Sequence, residues 1–200
     1  METESDKYFK KFRRHIEKYV KLEESEGDYI FSLFSIRKIK RKDFLLEPGN
    51  VCRYECFIVS GLFQSAVLDE SGKTHTLNFP HEDWWAGDYK SFTTKEPSNM
   101  RIEALEDSIM LEISKDSLDI LLKNSTSFAS YFRTLSENAS IAANERIIHQ
   151  LSLTAEQRYE LFREKYVMIN DRLSQKRIAS FLGISAEYFN QIERKKMRST

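Results

Sequence analysis

The most chemically specific stretch of the chain is Ser174 to Lys196, SQKRIASFLGISAEYFNQIERKK. Ser174 is a candidate N-cap for a short helix with apolar residues at helical spacing, and Gly183 ends that helix because glycine adopts a positive φ without strain. Ser185 would cap a second short helix. Two helices joined by a glycine turn are typical of a helix-turn-helix, whose second helix enters the major groove of DNA.

The second predicted helix carries side chains that suit base edges. Glutamate accepts hydrogen bonds from cytosine, glutamine and asparagine pair with adenine, and arginine pairs with guanine. The predicted DNA-binding residues are Ser174, Gln175, Lys176, Ser185, Ala186, Glu187, Tyr188, Asn190, Gln191, Arg194 and Lys195, with Lys196 and Arg198 as further phosphate contacts. The structural alternative is a helical hairpin that only completes a core.

Basic charge is concentrated at this end of the chain. The whole sequence has 31 Lys and Arg residues against 31 Asp and Glu residues, so its formal net charge is zero. Residues 171–200 contain seven Lys and Arg against three Asp and Glu, an excess of four positive charges. DNA binding depends on a positive patch at the contacting face rather than on the net charge of the whole chain. A net charge of zero therefore fits a sensor domain joined to a basic DNA-binding domain, here called the reader.

Length and composition limit the other classes. The chain has 200 residues, 40 % of them hydrophobic, which suffices for one large core and a second smaller one. No apolar run approaches the roughly 20 residues that span a bilayer, and the N-terminus has no apolar signal region. The predicted location is therefore cytoplasmic, without a membrane partner. Cys52 and Cys56 are predicted to be small buried side chains rather than a redox or metal site.

Periodicity predicts the elements that must position the reader. One amphipathic helix is predicted from about Lys7 to Leu22 and a second over Ser25 to Phe34. From Ile36 to Ile113 the sequence breaks into seven or eight short segments rich in β-branched and aromatic residues. Since no crossover helices intervene, this spacing favours an antiparallel sandwich or jelly roll over a parallel sheet.

A long helix is predicted to follow, from about Thr126 to Leu151. Its predicted dimer-interface residues recur at alternating steps of four and three: Phe128, Phe132, Leu135, Ala139, Ala142 and Arg146. Such a narrow seam packs either on its own sheet or on its copy in a second subunit. Because a helix-turn-helix dimer engages two half-sites about 34 Å apart, we predict a homodimer. A further helix is predicted after Thr154, with Gln157 completing a capping box.

The order of these parts resembles the cyclic-AMP receptor protein/fumarate–nitrate regulator (Crp/Fnr) superfamily of bacterial transcription regulators, in particular its short Bacteroidetes-type members. The resemblance covers nearly the whole chain. It is carried by FLLEPGNVCRYECFIVSGLFQSAVLDESGK, GDYKSFTTKEPS, IEALEDS, LTAEQRYELF and SQKRIASFLGISAEYFNQI. It implies a sequence-specific transcription regulator that is not an enzyme.

The resemblance also implies an α+β architecture in three parts. Residues 1–125 would form the N-terminal helices and an antiparallel β-roll (jelly roll) like a cyclic-nucleotide-binding domain. Residues 126–151 would form the dimerisation helix, and residues 152–200 an all-α helix-turn-helix domain. The expected partners are palindromic double-stranded DNA, a second copy of the chain and an unknown small-molecule effector, with RNA polymerase as a further candidate.

The family's nucleotide loop runs from a Gly-Glu pair, whose carboxylate holds the ribose, to an Arg-Ser/Thr pair that neutralises the cyclic phosphate. The matching ligand-binding positions here are Gly87, Asp88, Ser98 and Asn99. The arginine is missing, and a serine hydroxyl supplies neither the positive charge nor the bidentate hydrogen bonds of a guanidinium. The cations that could substitute from another angle are Lys90, Lys95 and Arg101. We therefore expect standard cyclic-AMP binding to be lost, and we predict no cofactor.

The DNA-binding end departs from the family as well. Family members tend to carry arginine early in the recognition helix and again about a turn later, where this sequence has Ala186 and Gln191, while Glu187 matches the family's glutamate. The resemblance therefore implies a different operator. Many members also carry a β-hairpin wing after the recognition helix, whereas this sequence ends at Thr200.

Two other classes of function stay open. A metal enzyme would use histidine and carboxylate ligands, and His75, His81, Glu82 and Asp83 fall in a suitable strand-and-loop region. Their spacing lacks the paired histidines of a cupin-type site, and no Gly-rich phosphate loop or activated-serine elbow occurs. We therefore predict neither a metal site nor an enzyme. The alternative to a regulator is a ligand-binding or protein-interaction module with a non-functional DNA-binding tail.

Overall fold

The computed structural model describes residues 3–197 of the chain, which contain eight α-helices and eight β-strands. The helices are α1 Glu4–Ile16, α2 Glu24–Ser32, α3 Tyr89–Thr94, α4 Lys115–Asn124, α5 Thr126–Ser152, α6 Ala155–Lys165, α7 Gln175–Leu182 and α8 Ala186–Met197. The strands are β1 Ser35–Ile39, β2 Phe44–Leu46, β3 Tyr54–Ser60, β4 Phe63–Leu68, β5 Thr74–Asn78, β6 Trp85–Ala86, β7 Met100–Ala104 and β8 Ser108–Ser114.

Helix α1 begins and ends earlier than the periodicity predicts. Thr3 caps it, because its hydroxyl accepts from the Asp6 amide at 3.1 Å while the Asp6 carboxylate accepts from the Thr3 amide at 2.8 Å. The apolar spacing continues past Ile16, but there the backbone changes to i→i−3 bonds, such as Tyr19 N–H to Ile16 O at 3.0 Å. The predicted extension to Leu22 is therefore wrong, since a turn replaces the last helical turns.

The strands form two four-stranded sheets, in the orders β1-β8-β3-β6 and β2-β7-β4-β5. The paired neighbours β1 and β8, β3 and β8, β3 and β6, and β2 and β7 are antiparallel, with Phe57 opposite Leu111 and Arg37 opposite Met110. This arrangement confirms the predicted antiparallel β-roll. Helix α3 was not predicted, because it lies in a polar loop and spans only six residues.

The chain divides into two compact units whose bounds differ from the predicted domain limits. The first unit comprises Met1–Ser65 and Phe79–Ala139, and the second comprises Ala66–Asn78 and Ser140–Thr200. The long helix α5 therefore contributes to both units. The second unit also contains residues 66–78, which include the end of β4 and all of β5, and β5 contacts α7.

In the core of the first unit, Phe12 of α1 is fully buried against the β1-β8-β3-β6 sheet. The Phe12 ring lies 4.5 Å from the ring of Phe57 and 5.0 Å from that of Phe34, measured between centroids. Burying a phenylalanine side chain stabilises a fold by about 1.5–3 kcal/mol. Cys52 and Cys56 are buried free thiols, as predicted. Within residues 3–197, no helix is both long and apolar enough to cross a membrane.

Candidate nucleic-acid interface and nucleotide loop

Helices α7 and α8 form the predicted helix-turn-helix. Gly183 ends α7 with φ at 72°, the left-handed conformation that favours glycine. The Ser185 hydroxyl accepts a hydrogen bond from the Tyr188 amide at 3.1 Å and so caps α8. Ser174 occupies the N-cap position of α7, but its hydroxyl makes no capping bond. The local signals in the sequence therefore placed the turn and both helix starts correctly.

Helix α8 is held against α6 on one side. The ring of Phe189 meets the ring of Tyr159 edge-on, with 4.9 Å between the ring centroids. Ile192, three residues further along α8, is also buried. The Tyr188 hydroxyl lies 3.2 Å from a carboxylate oxygen of Glu156, to which it donates. These contacts leave the opposite side of α8 facing away from the helical core.

The predicted DNA-binding residues share one property: every one of them is exposed. They are Ser174, Gln175, Lys176, Ser185, Ala186, Glu187, Tyr188, Asn190, Gln191, Arg194 and Lys195. Arg198 lies outside the described residues. The steps from Glu187 to Gln191 and from Gln191 to Arg194 are four and three residues, so these side chains share one face of α8.

The charge state of this face suits base recognition. Hydrogen bonds from its own backbone amide and from the Ser185 hydroxyl lower the pKa of Glu187, so it is ionised and only accepts at neutral pH. Arg194 and Lys195 follow in the last turn of α8, where cations are stabilised by the helix dipole. The Tyr188 hydroxyl is already bound to the Glu156 carboxylate.

The predicted nucleotide loop follows β6 and contains α3. Asp88 caps α3, with one carboxylate oxygen accepting from the amides of Lys90 at 3.1 Å and Ser91 at 3.3 Å. Its other oxygen accepts from the Ser98 hydroxyl at 2.6 Å, and Asp88 and Ser98 are both buried. The two predicted ligand-binding side chains are therefore hydrogen-bonded to each other.

Ser98 is fixed by its backbone as well. Its N–H donates to Asn50 O at 2.9 Å, and its carbonyl accepts from the Gly49 amide at 2.7 Å. Asn99, beside it, is exposed. Of the candidate substitutes for the missing arginine, Lys90 pairs with a carboxylate oxygen of Glu96 at 3.3 Å.

The side chains of the other two candidate cations, Lys95 and Arg101, do not bond to Asp88 or Ser98 in the described residues. Arg101 pairs with Glu103 at 3.3 Å, and its guanidinium lies 5.6 Å from the ring centroid of Phe44. Lys95 ends α3 in the left-handed conformation and is exposed. Among the described residues, none of the three side-chain cations forms a hydrogen bond or ion pair with Asp88 or Ser98. Lys90 contacts Asp88 only through its backbone amide.

Glu55 is a residue of this region that sequence reasoning missed. Its side chain is 6 % exposed, and Oε1 has no hydrogen-bond partner among the described residues. A Cβ atom added to Gly87 would lie 2.4 Å from that oxygen, so the carboxyl rests directly on the glycine. Burial, reinforced by the negative charge of Asp88, raises the pKa of Glu55 to about 8. The only signal was one acidic residue inside an otherwise apolar strand, YECFIVS.

A cavity of about 230 Å³ opens beside Gly87 in the first unit. Its polar lining includes Arg37 and Arg53, and its apolar wall includes Leu46 and Ile102. Of the four predicted nucleotide-loop residues, only Gly87 lines it within the part of the chain that the structure describes. The bond between Asp88 and Ser98 therefore lies outside this cavity's lining.

The predicted seam on α5 is divided between different environments. Phe128 is fully buried in the core of the first unit, and Phe132 and Leu135 pack against that core. Ala139 is exposed and Ala142 is half-buried. The surface along α5 is instead apolar at other positions: Ile141, Ile147, Ile148 and Leu151 are 56 %, 58 %, 59 % and 84 % exposed.

Arg146, the last residue of that seam, lies within the second unit. Its guanidinium donates to Thr76 O at 2.8 Å and to Phe181 O at 3.3 Å. It also lies 4.3 Å from the centroid of the Phe181 ring. These contacts direct Arg146 towards its own chain.

The candidate metal ligands are engaged in separate local contacts. His75 lies 2.7 Å from Asp69, His81 Nδ1 is bonded to Phe79 O at 2.9 Å, and Glu82 accepts from the Gly61 amide at 2.8 Å. Asp83 pairs with Lys18 at 2.7 Å. Over residues 3–197, no three His, Cys, Asp or Glu side chains form a group that could hold a metal ion.

The chain therefore combines a β-roll, whose loop contains α3, with a C-terminal helix-turn-helix. The family model of the cyclic nucleotide-binding domain matches residues 36–125. A comparison with curated protein sequences finds no significant match. Residues 36–125 are therefore similar to the cyclic nucleotide-binding domain family, and this supports the resemblance seen in the sequence.

Solved structures extend the likeness to the whole fold. The c-di-GMP-responsive global regulator CLP of Xanthomonas campestris matches with a TM-score of 0.70 at 13 % identity, over 88 % of this chain and 93 % of that one. A crp/fnr-family transcriptional regulator of Eubacterium rectale gives 0.68 at 17 %, over 89 % and 85 %. The catabolite activator protein of Thermus thermophilus gives 0.56 at 14 %, over 89 % and 85 %. The chain has the fold of the Crp/Fnr regulators.

Proposed function

We propose that this chain is a homodimeric, sequence-specific DNA-binding transcription regulator. The observation that carries the proposal is the exposed face of α8, on which Glu187, Gln191 and Arg194 lie at helical spacing opposite buried Phe189 and Ile192. A helix of this kind fits the major groove, where an acceptor, an amide and a guanidinium distinguish base pairs. The basic last turn of α8 adds the phosphate contacts.

We place the dimer seam on the exposed apolar positions of α5. Ile141 and Ile148 are seven residues apart, and Ile147 and Leu151 are four apart, so they form a continuous stripe on the second half of the helix. Burying this stripe against its copy removes apolar surface that is unusual on a monomer. A two-fold dimer then presents two α8 helices to the two halves of a palindromic site.

The β-roll of this regulator has, in our proposal, lost standard cyclic-AMP binding. A cyclic phosphate needs a compensating cation, but Ser98 occupies the place of the family's arginine and is bonded to the Asp88 carboxylate. The Ser98 hydroxyl also donates a hydrogen bond to the Asp88 oxygen that would otherwise be open to a ribose hydroxyl. An effector of different chemistry, and a contact with RNA polymerase, remain predictions of the resemblance.

Selection of bound genomic DNA fragments by the purified protein tests the reader. We expect a palindromic motif that is recovered equally with and without cyclic AMP. Gln191→Ala should lose about 1–3 kcal/mol of discrimination at one base pair, whereas Lys195→Ala should weaken all sequences and reduce the salt slope by about one. Arg163→Ala on the exposed side of α6 is the charge-matched control for Lys195→Ala and should leave binding unchanged.

Each other outcome of that selection has a definite meaning. A motif recovered only with cyclic AMP would contradict the loss of nucleotide binding. A motif that survives both Gln191→Ala and Lys195→Ala would show that α8 is not the reading helix. Failure to select any DNA would favour the interaction module with a non-functional tail.

Sedimentation of the purified protein tests the seam separately from DNA. Ile148→Asp places a charge in the centre of the stripe and should convert the dimer to a monomer, because an unpaired carboxylate cannot be buried cheaply. Ile120→Asp on α4 is the control, since Ile120 is similarly exposed at 48 % but lies off the stripe. A dimer that persists in Ile148→Asp would place the interface elsewhere.

A further inference from the structure

The end of β4 and the whole of β5 belong to the second unit, which also contains the helix-turn-helix. Residues 66–78 cluster with residues 140–200, and β5 lies against α7, the first helix of the helix-turn-helix. Strand β5 is at the edge of its sheet, with β4 as its one neighbour. An edge strand presents unpaired N–H and C=O groups along its free side, and these groups need partners when they are covered.

Ser180 of α7 supplies partners to that free edge. Its hydroxyl donates to Thr74 O at 2.8 Å and accepts from the Thr76 amide at 3.2 Å and from the Thr76 hydroxyl at 2.9 Å. One donor and two acceptors are the full capacity of a serine hydroxyl. Thr76 is 2 % exposed, so these bonds form in a site shielded from water.

Arg146 of α5 completes the attachment from a second helix. It donates to Thr76 O on the same strand edge and to Phe181 O in the last turn of α7. The last carbonyls of a helix have no partner within the helix and attract a cation. Burial lowers the pKa of Arg146, but a guanidinium remains charged at any physiological pH. The three elements α5, β5 and α7 therefore meet at Thr76.

We propose that Arg146 and Ser180 are positioning residues for DNA reading. They hold the helix-turn-helix in its orientation by fixing α7 on the edge of β5. The inference rests on the proposed function, because it concerns how the reader is held. Apolar packing alone tolerates small rotations of a helix, whereas hydrogen bonds are directional and weaken steeply when misaligned. Since α7 and α8 form one motif, the orientation of α7 sets the direction in which α8 points.

Two variants and two matched controls test this assignment. Arg146→Lys keeps the charge but removes the fork, and Ser180→Ala removes only the hydroxyl. Arg133→Lys is the control on the same helix, since Arg133 pairs with Glu137 one turn away. Ser152→Ala is the serine control, because the Ser152 hydroxyl donates to Ile148 O within its own helix.

The first readout is amide hydrogen exchange in the free protein, which does not depend on DNA binding. Arg146→Lys and Ser180→Ala should each raise exchange at the Thr76 amide and over 177–183 by about tenfold. Both controls should match the wild type. Protection that is unchanged in both variants would overturn the proposal, whatever the protein does with DNA.

The second readout is the preference for one half-site spacing, measured on operators lengthened or shortened by one base pair. A loosened reader should lose about tenfold of that preference while keeping its base discrimination within one half-site. A purely structural role would lower the unfolding midpoint and the active fraction but leave the spacing preference intact, and that result would overturn the positioning role. If the wild type selects no DNA, the proposed function fails, and the exchange readout alone then decides whether the attachment exists.

Discussion

Replacing Glu55 with glutamine is expected to change how the stability of the β-roll depends on pH. The buried carboxyl has a pKa of about 8 in the folded chain, against an ordinary value of 4.5. The folded state therefore keeps a proton that the unfolded state releases. For a group whose folded pKa is raised, stability is fully present below the unfolded pKa and is lost as the pH rises through the folded pKa.

The size of the effect follows from that difference. Each pH unit in which one proton is released on unfolding changes the free energy of unfolding by about 1.4 kcal/mol, so the wild type should lose about 3 kcal/mol between about pH 5 and pH 8 through Glu55. Glutamine does not titrate, so this part of the pH dependence should disappear in Glu55→Gln. The buried amide costs about 1–3 kcal/mol when it is not hydrogen-bonded, which makes the variant the less stable protein near pH 5 and the more stable one near pH 8.

Urea unfolding followed by tryptophan fluorescence measures this crossover. The chain has two tryptophans, Trp84 and Trp85, and both belong to the first unit with Glu55. Glu47→Gln is the control, because Glu47 is an exposed carboxylate beside the same cavity. A difference between wild type and Glu55→Gln that is the same at about pH 5 and pH 8 would refute the buried, protonated carboxyl.

Two further substitutions test the contacts around the sheet. Gly87→Ala places a Cβ 2.4 Å from the Glu55 carboxyl and should destabilise the roll by about 1–3 kcal/mol. The added change Glu55→Ala should recover part of that loss. Strictly additive losses in the double-mutant cycle would contradict the contact. Tyr131→Phe removes the hydroxyl that accepts from Trp85 Nε1 at 3.0 Å and lies 2.9 Å from His15 Nδ1. Burial lowers the pKa of His15 to about 4, so its imidazole is neutral at pH 7. In Tyr131→Phe, the His15 and Trp85 rings each lose a hydrogen-bond partner, and the urea midpoint should fall by the equivalent of about 1–3 kcal/mol. An unchanged midpoint would show that the network does not stabilise the fold.

The parts of the fold that depend on neighbouring residues were predictable from the sequence. Gly183 and Ser185 mark the turn because a left-handed residue and an N-cap are local requirements. The capping box of Thr154 and Gln157 fixed the start of α6 for the same reason. The long helix ends at Ser152, within one residue of its predicted end, since its start and its termination are also local.

The parts that depend on distant residues were not predictable in this way. The α5 seam has one spacing throughout, yet Phe128 enters the core of its own unit while Arg146 reaches the β5 edge. Periodicity shows which residues share a helix face but not what covers that face. The buried position of Glu55 was missed for a related reason, because only the fold brings Gly87 beneath its carboxyl.

The discontinuous second unit has a consequence for building chimaeras from this chain. Joining residues 140–200 to a foreign sensor would leave behind residues 66–78, and with them the strand edge that Ser180 and Arg146 satisfy. The donor roll would then carry an uncovered edge strand, which invites pairing between molecules. A functional exchange must therefore transfer residues 66–78 together with the helices. During synthesis, residues 66–78 leave the ribosome before α7 and α8 exist, so the second unit completes its fold only after those helices are made.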